Sequence, residues 1–159
     1  MNFAFEDLIV YQKALDFTVL VIDTIDELDT PRKHYRLIEQ LEAASSSVAL
    51  NIAEGKGRYS KKEFKHFCYI ARGSLYETIS MIQIFKKKGW LNEGPYLRLY
   101  SDAVEINKMI SGLIKSIQWN MNRWSQLPTI STNCFPFPVT YQLSAHLWWT
   151  SYEFKIDHY

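Results

Sequence analysis

The chain has 159 residues, of which 47% are hydrophobic and 22% charged, so it is long enough and apolar enough to bury the core of one domain. Its formal net charge of +1 excludes a strongly basic, histone-like protein. Any nucleic-acid binding must therefore come from a local patch, or from copies of one brought together in an oligomer. Two cysteines are too few for a disulfide framework. No signal peptide is recognisable, and no apolar run is long enough to cross a bilayer. These features predict a cytoplasmic protein without membrane contact.

The first predicted helix runs from about Glu6 to Leu28. Its apolar residues recur at steps of three and four, which is the pattern of an amphipathic helix with one face on a core. The residues predicted to face that core are Leu8, Leu15, Val19, Ile22 and Ile25.

The second helix is predicted to begin at Thr30–Pro31, an N-cap followed by a proline at the first helical position, and to end near Glu54. Small side chains over Ala43–Ser47 allow a neighbouring helix to approach closely. Gly55 or Gly57 is expected to adopt the left-handed conformation that ends a helix. The predicted core positions are Leu37, Leu41, Ala44, Val48 and Ile52.

The third helix is predicted to start at a capping box, in which Ser60 and Glu63 satisfy each other's backbone amides. Tyr59 and Phe64 stand at the two positions of a hydrophobic staple. These features explain a helix start, but not why basic side chains also cluster there. The basic side chains of this stretch are Lys56, Arg58, Lys61, Lys62 and Lys65.

The third helix is expected to extend to about Lys88 and to end at Gly89, with the small pair Gly73–Ser74 facing the serine-rich part of helix two. The fourth helix follows a turn through Gly94–Pro95. The predicted core positions are Phe64, Phe67, Ala71, Leu75, Thr78, Ile82 and Phe85 in helix three, and Leu99, Ala103, Ile106, Ile110, Leu113 and Ile117 in helix four.

Four helices of similar length joined by short turns predict an all-α fold, an up-down-up-down antiparallel four-helix bundle over residues 1–118. Residues 119–159 differ in composition, being aromatic, sparse in charge and interrupted by three prolines. We expect them to form a partly ordered C-terminal extension.

No set of residues predicts a catalytic site. Cys68 is interpreted as a core residue and His66 as a surface residue. The bundle lacks the paired Glu-x-x-His motifs of di-iron proteins, and no phosphate-binding glycine loop is present. Asn51, Glu54 and Glu77 are polar residues near the core, where a buried hydrogen-bonded network is favoured over catalysis. The expectation is a non-enzymatic protein with no cofactor, no metal and no small-molecule substrate.

The basic cluster of the helix 2–3 turn can be interpreted in two ways. The first is a solvated helix face, because charged runs on helices usually face solvent and contact nothing. Arg58 and Tyr59, however, place a guanidinium and an aromatic ring where they can contact phosphates and stack on a base. We therefore carry two hypotheses, an RNA-associated bundle that uses this cluster and an oligomeric scaffold that binds a protein partner without any nucleic-acid role.

Three stretches of the chain also carry a resemblance: FEDLIVYQKAL, QLEAASSSVALNIAEGKGRYSKKEF and FCYIARGSLYETI. Over about residues 3–117 they resemble the four-helix bundle proteins encoded in intervening sequences of bacterial 23S ribosomal RNA genes. That family looks similar to the accessory variability protein of diversity-generating retroelements.

The resemblance implies a bacterial, non-enzymatic bundle that assembles as a homopentamer. From the retroelement branch it implies nucleic acid and a reverse transcriptase as partners. Two family motifs, NIAEG and GS-x-x-E, match this sequence and imply architecture rather than a binding site. Their residues here are Asn51, Glu54, Gly55, Gly73, Ser74 and Glu77.

Overall fold

The computed structural model describes residues 3–28 and 34–125, with side chains as far as residue 119. These residues form four helices and no strand. Each helix packs on its neighbours in the chain, and the first also packs on the fourth, so the axes lie at the corners of a square with antiparallel neighbours. The predicted all-α four-helix bundle is confirmed. The helices are α1 (Ile9–Asp26), α2 (Tyr35–Lys56), α3 (Lys61–Lys87) and α4 (Glu93–Ser125).

Two predictions fall on residues outside this description. The Thr30–Pro31 helix start lies in the undescribed stretch between α1 and α2, and the C-terminal extension lies outside the described residues from residue 126 onward. Helix α4 continues past Gln118, the predicted last residue of the bundle, to Ser125. The domain division at 118 stays a prediction.

The predicted core faces of α2, α3 and α4 are largely confirmed. The exceptions are Leu37, Phe64, Phe67 and Leu113, which are only half-buried. Further buried positions are Ala49 of α2, Met81 of α3 and Ile114 of α4.

The predicted core face of α1 is confirmed at Ile25, which is buried, and at Leu8, which is partly buried against the core, but it is wrong at the three positions between them. Leu15, Val19 and Ile22 are 42%, 56% and 38% exposed, and they form an apolar stripe on the outside of the bundle. The helix is apolar on most of its circumference, so two different sets of residues both recur at steps of three and four. Packing of the large Phe17 ring, which is fully buried, selects the other set. The buried hydrophobic residues of α1 are Val10, Ala14, Phe17, Val21 and Ile25.

Small polar side chains hold α2 close to both of its neighbours. The Thr18 hydroxyl of α1 donates to the Ser45 carbonyl at 3.0 Å, and the hydroxyls of Ser47 and Ser74 lie 3.0 Å apart between α2 and α3. The expected approach of the Gly73–Ser74 stretch to helix two is therefore confirmed, but the contact with α2 is made by Ser74 and not by Gly73. Gly73 is exposed, and a Cβ at that position would meet no atom of the described residues within 4 Å.

The glycines at the end of α2 do not act as predicted. Neither Gly55 nor Gly57 has a positive φ, and α2 ends in ordinary right-handed geometry at Gly57 (φ −77°). Gly55 instead permits a close approach, since a Cβ there would lie 2.5 Å from Cβ of Phe67 on α3. The absence of a side chain, rather than backbone freedom, is what this position needs.

The start of α3 confirms the capping box but not the staple. The Glu63 amide donates to the Ser60 hydroxyl at 3.2 Å, and the Ser60 amide donates to the Glu63 carboxylate at 3.3 Å. Tyr59 is fully exposed and so cannot pack on Phe64. The turn directs Tyr59 into solvent, while the Phe64 ring packs against the core.

The end of α3 at Gly89 is confirmed. Gly89 has φ +74°, the left-handed conformation that glycine adopts without steric cost. The Trp90 amide donates to the Phe85 carbonyl at 3.0 Å, and the Gly89 amide donates to the Lys86 carbonyl at 2.9 Å, which is the bonding pattern of a Schellman motif. The rings of Phe85 and Trp90 pack edge to face at 5.4 Å and supply the hydrophobic contact of that motif.

Candidate nucleic-acid interface

The five basic residues predicted as a contact surface all lie around the short turn that joins α2 to α3. One is the last residue of α2, one is in the turn, and three are in the first two turns of α3. The capping box fixes where α3 begins and hence where these side chains leave the backbone. We call this set the turn cluster; it consists of Lys56, Arg58, Lys61, Lys62 and Lys65.

Arg58 is the member of the turn cluster whose charge is compensated. Its guanidinium forms an ion pair with Glu54, one helical turn earlier, and its Cζ lies 4.8 Å from the centre of the Phe67 ring. An arginine already paired with a carboxylate has less to gain from a phosphate. Arg58 is therefore a weaker phosphate ligand than its position in the sequence suggests.

The four lysines of the cluster are not neutralised in this way. Lys61 and Lys62 are exposed and form no ion pair with any described residue. The Lys65 ammonium donates to the side-chain carbonyl of Gln118 on α4 at 3.0 Å, a neutral partner that orients the charge without cancelling it. Lys56 is exposed, with its ammonium 5.9 Å from the Phe64 ring.

Glu63 is the carboxylate closest in sequence to these lysines, and it is engaged in the helix cap. The hydrogen bond from the Ser60 hydroxyl, at 2.7 Å, is the main reason its pKa lies below the usual value, and the Ser60 amide and Arg58 act in the same direction. A carboxylate with a lowered pKa stays ionised at neutral pH. Even so, the 54–66 stretch holds five basic residues against two acidic ones, so it remains positive.

The motif residues Asn51 and Ser74 belong to one small polar network. The Asn51 amide donates to the Ser47 carbonyl at 2.7 Å and to the Ser47 hydroxyl at 2.9 Å, and Ser47 in turn contacts Ser74. This network joins α2 to α3. The network includes fewer of the predicted residues than expected, because Glu54 and Glu77 are exposed and take no part in it.

The cysteine and histidine considered for catalysis differ in their exposure to solvent. Cys68 is completely buried, and burial raises the pKa of its thiol to about 11, which keeps it protonated and unreactive. His66 is exposed, so the interpretation of Cys68 as core and His66 as surface is confirmed. A cleft of about 200 Å³ between α1 and α4 contains the ion pair of Lys13 with Glu105 and no histidine, cysteine or serine.

Within residues 3–28 and 34–125, no three His, Cys, Asp or Glu side chains are grouped so that they could hold a metal ion. None of the four helices in those ranges is long and apolar enough to span a membrane.

The distribution of charge between the two helical hairpins is a feature that whole-chain composition hides. Residues 1–54 carry ten carboxylates and four basic side chains, a net charge of −6, whereas residues 55–125 carry five carboxylates and thirteen basic side chains, a net charge of +8. Because α1 packs on α2 and α3 on α4, one side of the bundle is acidic and the other basic. Counting charges per predicted hairpin would have revealed this from the sequence.

Comparison with known proteins identifies the relatives of this bundle. Residues 6–112 match the family model described as 23S rRNA-intervening sequence protein, which covers more than half of the chain. The chain belongs to this family. The matched region extends from just before α1 into α4 and includes the whole turn cluster, so that cluster lies within the family's common region.

A solved structure has a similar fold. It is described as a protein with unknown function from the S23 ribosomal protein family, from Bacteroides thetaiotaomicron VPI-5482. It shares 24% identity with this member of the intervening-sequence family and superposes with a TM-score of 0.63, covering 67% of this chain and 99% of that chain. At this identity the likeness supports the bundle fold. No curated protein shows significant similarity to the chain.

Proposed function

We propose that this protein is a non-enzymatic, cytoplasmic bundle that associates with RNA through the turn cluster. The observation that carries the proposal is the position of Tyr59, fully exposed in the turn beside Lys61 and Lys62, whose charges no described carboxylate compensates. Free ammonium groups attract phosphates, and an exposed aromatic ring can stack on an unpaired base. The family's description as proteins of 23S rRNA intervening sequences makes RNA the first ligand to test.

A solvated helix face would account for the lysines, whereas the tyrosine beside them adds a ring on which a base can stack. Exposure of a large aromatic ring to water brings no folding benefit, and Tyr59 makes no staple contact that would explain it. The unequal charge of the two hairpins also supports the proposal. The turn cluster lies at the start of the basic hairpin, whereas most of the carboxylates belong to the acidic hairpin.

A titration of labelled single-stranded RNA at several salt concentrations tests the proposal. We expect Lys61→Gln with Lys62→Gln to lower the slope of log K against log salt by about 1.4, since each phosphate contact with a single strand contributes roughly 0.7. Arg58→Gln should change the slope less than either lysine substitution, because Glu54 already pairs with this arginine.

Lys87 and Lys88 supply a matched control. They are likewise adjacent and exposed, but they lie at the opposite end of α3. The double glutamine change there alters the net charge by the same amount and should leave the slope close to that of the wild type. Equal losses in the two double variants would mean that RNA responds only to overall charge. Absence of salt-sensitive RNA binding in the wild type would overturn the proposal.

A second candidate function, that of a self-assembling scaffold, is favoured by the apolar stripe on α1. Leu15, Val19 and Ile22 are exposed on one side of that helix, and contiguous apolar surface of this kind is typical of interfaces. The resemblance stated above adds a homopentamer as the expected assembly and a reverse transcriptase as a further candidate partner. Light scattering of the wild type and of Val19→Asp tests this function: a monomeric wild type, or an unchanged mass in the variant, would count against it.

A further inference from the structure

A second positively charged surface follows the side of α3 that borders α4. Lys65, Tyr69, Arg72 and Tyr76 recur at steps of four, three and four, which places them on one side of the helix. Two contacts fix that side against α4: Lys65 reaches Gln118, and the Tyr76 hydroxyl donates to the Asn107 side chain at 3.2 Å. We call this surface the α3–α4 face; it consists of Lys65, Tyr69, Arg72 and Tyr76 of α3 and Asn107, Lys108 and Lys115 of α4.

The α3–α4 face contains no acidic residue. Neither the 64–76 stretch of α3 nor the 106–119 stretch of α4 includes an Asp or a Glu. Lys108 directly follows Asn107, Lys115 lies three residues before Gln118, and both lysines are exposed. The carboxylates nearest in sequence lie just outside these stretches: Glu77 follows Tyr76, and Glu105, three residues before Lys108, is paired with Lys13 of α1. Within the face itself a phosphate would meet only cations and neutral side chains.

Arg72 differs from Arg58 in its partner. The Arg72 Cζ lies 5.0 Å from the centre of the Tyr69 ring, and this arginine forms no ion pair with any described residue. The Lys65 ammonium lies 5.9 Å from the same ring. An aromatic ring orients a cation without cancelling its charge, so Tyr69 positions two cations that remain able to bind a phosphate.

Tyr76 presents a ring that is both exposed and anchored. Its side chain is 53% exposed, while its hydroxyl is held by Asn107. A ring already fixed in position loses little conformational freedom when a base stacks on it. Only an unpaired base offers its face in this way, because bases in a duplex are stacked on one another.

We propose that single-stranded RNA lies along the α3–α4 face, with Arg72 binding a phosphate and Tyr76 stacking on a base. This inference rests on the proposed RNA association and extends it from the turn cluster along the bundle. From Lys61 to Tyr76 the rise of α3 amounts to about 22 Å, so the strand would contact the turn cluster and this face together.

The test uses two probes, an unstructured oligouridylate and an RNA duplex of the same length, titrated with the full-length protein. Tyr76→Ala should weaken oligouridylate binding by roughly 5- to 140-fold, the usual range for the loss of one stacked base, and leave duplex binding unchanged. Arg72→Gln should lower the salt slope for oligouridylate by about 0.7. Tyr76→Phe keeps the ring and loses only its anchor, so its affinity should fall between those of Tyr76→Ala and the wild type.

Matched controls exist on the other sides of the bundle. Arg98→Gln removes an exposed arginine that lines the cleft with α1, and Tyr35→Ala removes an exposed tyrosine of α2. Both should bind oligouridylate as the wild type does. Thermal melts of Tyr76→Ala and Arg72→Gln should be close to that of the wild type, because Tyr76 is exposed and the half-buried Arg72 forms no ion pair with any described residue.

The possible outcomes separate this inference from the proposed function. If the wild type binds neither probe, both are overturned. If the wild type binds oligouridylate and the Arg72 and Tyr76 variants bind equally well, this inference fails while the turn cluster remains the contact surface. Equal losses on oligouridylate and duplex would overturn the single-stranded assignment. Variants that change the mass measured by light scattering, but not RNA affinity, would show that the face binds protein instead.

Discussion

Replacing Gly55 with alanine tests how α2 and α3 pack against each other. The added Cβ would lie 2.5 Å from Cβ of Phe67 and 3.0 Å from a ring carbon of Phe64, well inside the 3.5–4.0 Å of an ordinary carbon contact. The Phe67 Cβ is bonded directly to the α3 backbone, so the overlap can be relieved only by moving that helix. Overpacking of this kind costs about 1–3 kcal/mol, and the short distance favours the upper end.

Helix propensity opposes this cost. Alanine is favoured over glycine inside a helix by about 1 kcal/mol, which leaves an expected net loss of about 2 kcal/mol in the free energy of unfolding. Chemical denaturation followed by circular dichroism measures this loss directly. A Gly55→Ala variant as stable as the wild type, or more stable, would refute the close approach.

Gly73 provides the matched control for this substitution. It also lies inside a helix, on α3, but no described atom lies within 4 Å of the place where its Cβ would stand. Gly73→Ala should therefore show the propensity gain alone and raise the free energy of unfolding by up to about 1 kcal/mol. The same chemical change should thus have opposite signs at two positions of one bundle.

Three further predictions concern the core and the ends of α3. Leu75→Ala, at a fully buried position, should lower the free energy of unfolding by about 2–5 kcal/mol in denaturant melts, and a neutral result would mean that the core face of α3 is misassigned. Ser60→Ala should cost about 1 kcal/mol through the lost cap. The pKa of Glu63 is lowered in the folded protein, so its hydrogen bond to Ser60 stabilises the fold above the ordinary pKa of 4.5 and is lost as the pH falls below that value. The loss in free energy of unfolding caused by Ser60→Ala should therefore be smaller in melts at acid pH. A loss that does not change with pH would contradict this. Gly89→Ala should lower the free energy of unfolding by about 1–2 kcal/mol, because alanine is strained at φ +74°. A melting temperature equal to that of the wild type would contradict the left-handed helix end.

Sequence periodicity predicted the core faces of α2, α3 and α4, and it failed in the middle of α1 for a physical reason. In α3 and α4 charged or polar residues separate the apolar positions, so only one face can be buried. In α1 the run from Phe17 to Ile22 is apolar at nearly every position, and either of two faces satisfies the pattern. The choice depends on which side chains fit against α2 and α4, and this information is absent from the sequence of α1 itself.

Local motifs at the helix ends were predictable where hydrogen bonds define them. Ser60 with Glu63, and Gly89 after the lysines of α3, behave as their motifs require. The predicted role of Gly55 failed because a glycine can serve two purposes, and only the position of Phe67 shows that this one serves close packing. The Tyr59 staple failed because it depends on the direction of the turn, which the sequence does not specify.

The turn cluster was visible in the sequence as a run of basic residues, whereas the α3–α4 face was not. The residues of the α3–α4 face come from two segments more than thirty positions apart, and only the antiparallel packing of α3 on α4 brings them together. The sequence also could not show that Arg58 is paired with Glu54 while Arg72 has no carboxylate partner among the described residues. That difference decides which arginine is available to a phosphate.

Ultraviolet crosslinking of the protein to single-stranded RNA, followed by mass spectrometry of the crosslinked peptides, tests most directly whether RNA binds the basic side of the bundle. Exposed tyrosines lie on both hairpins, so each side can report contact. Crosslinks are expected on the peptides that contain Tyr59, Tyr69 and Tyr76. Crosslinks confined to the peptide that contains Tyr35, on the acidic hairpin, would contradict RNA binding by the turn cluster and the α3–α4 face.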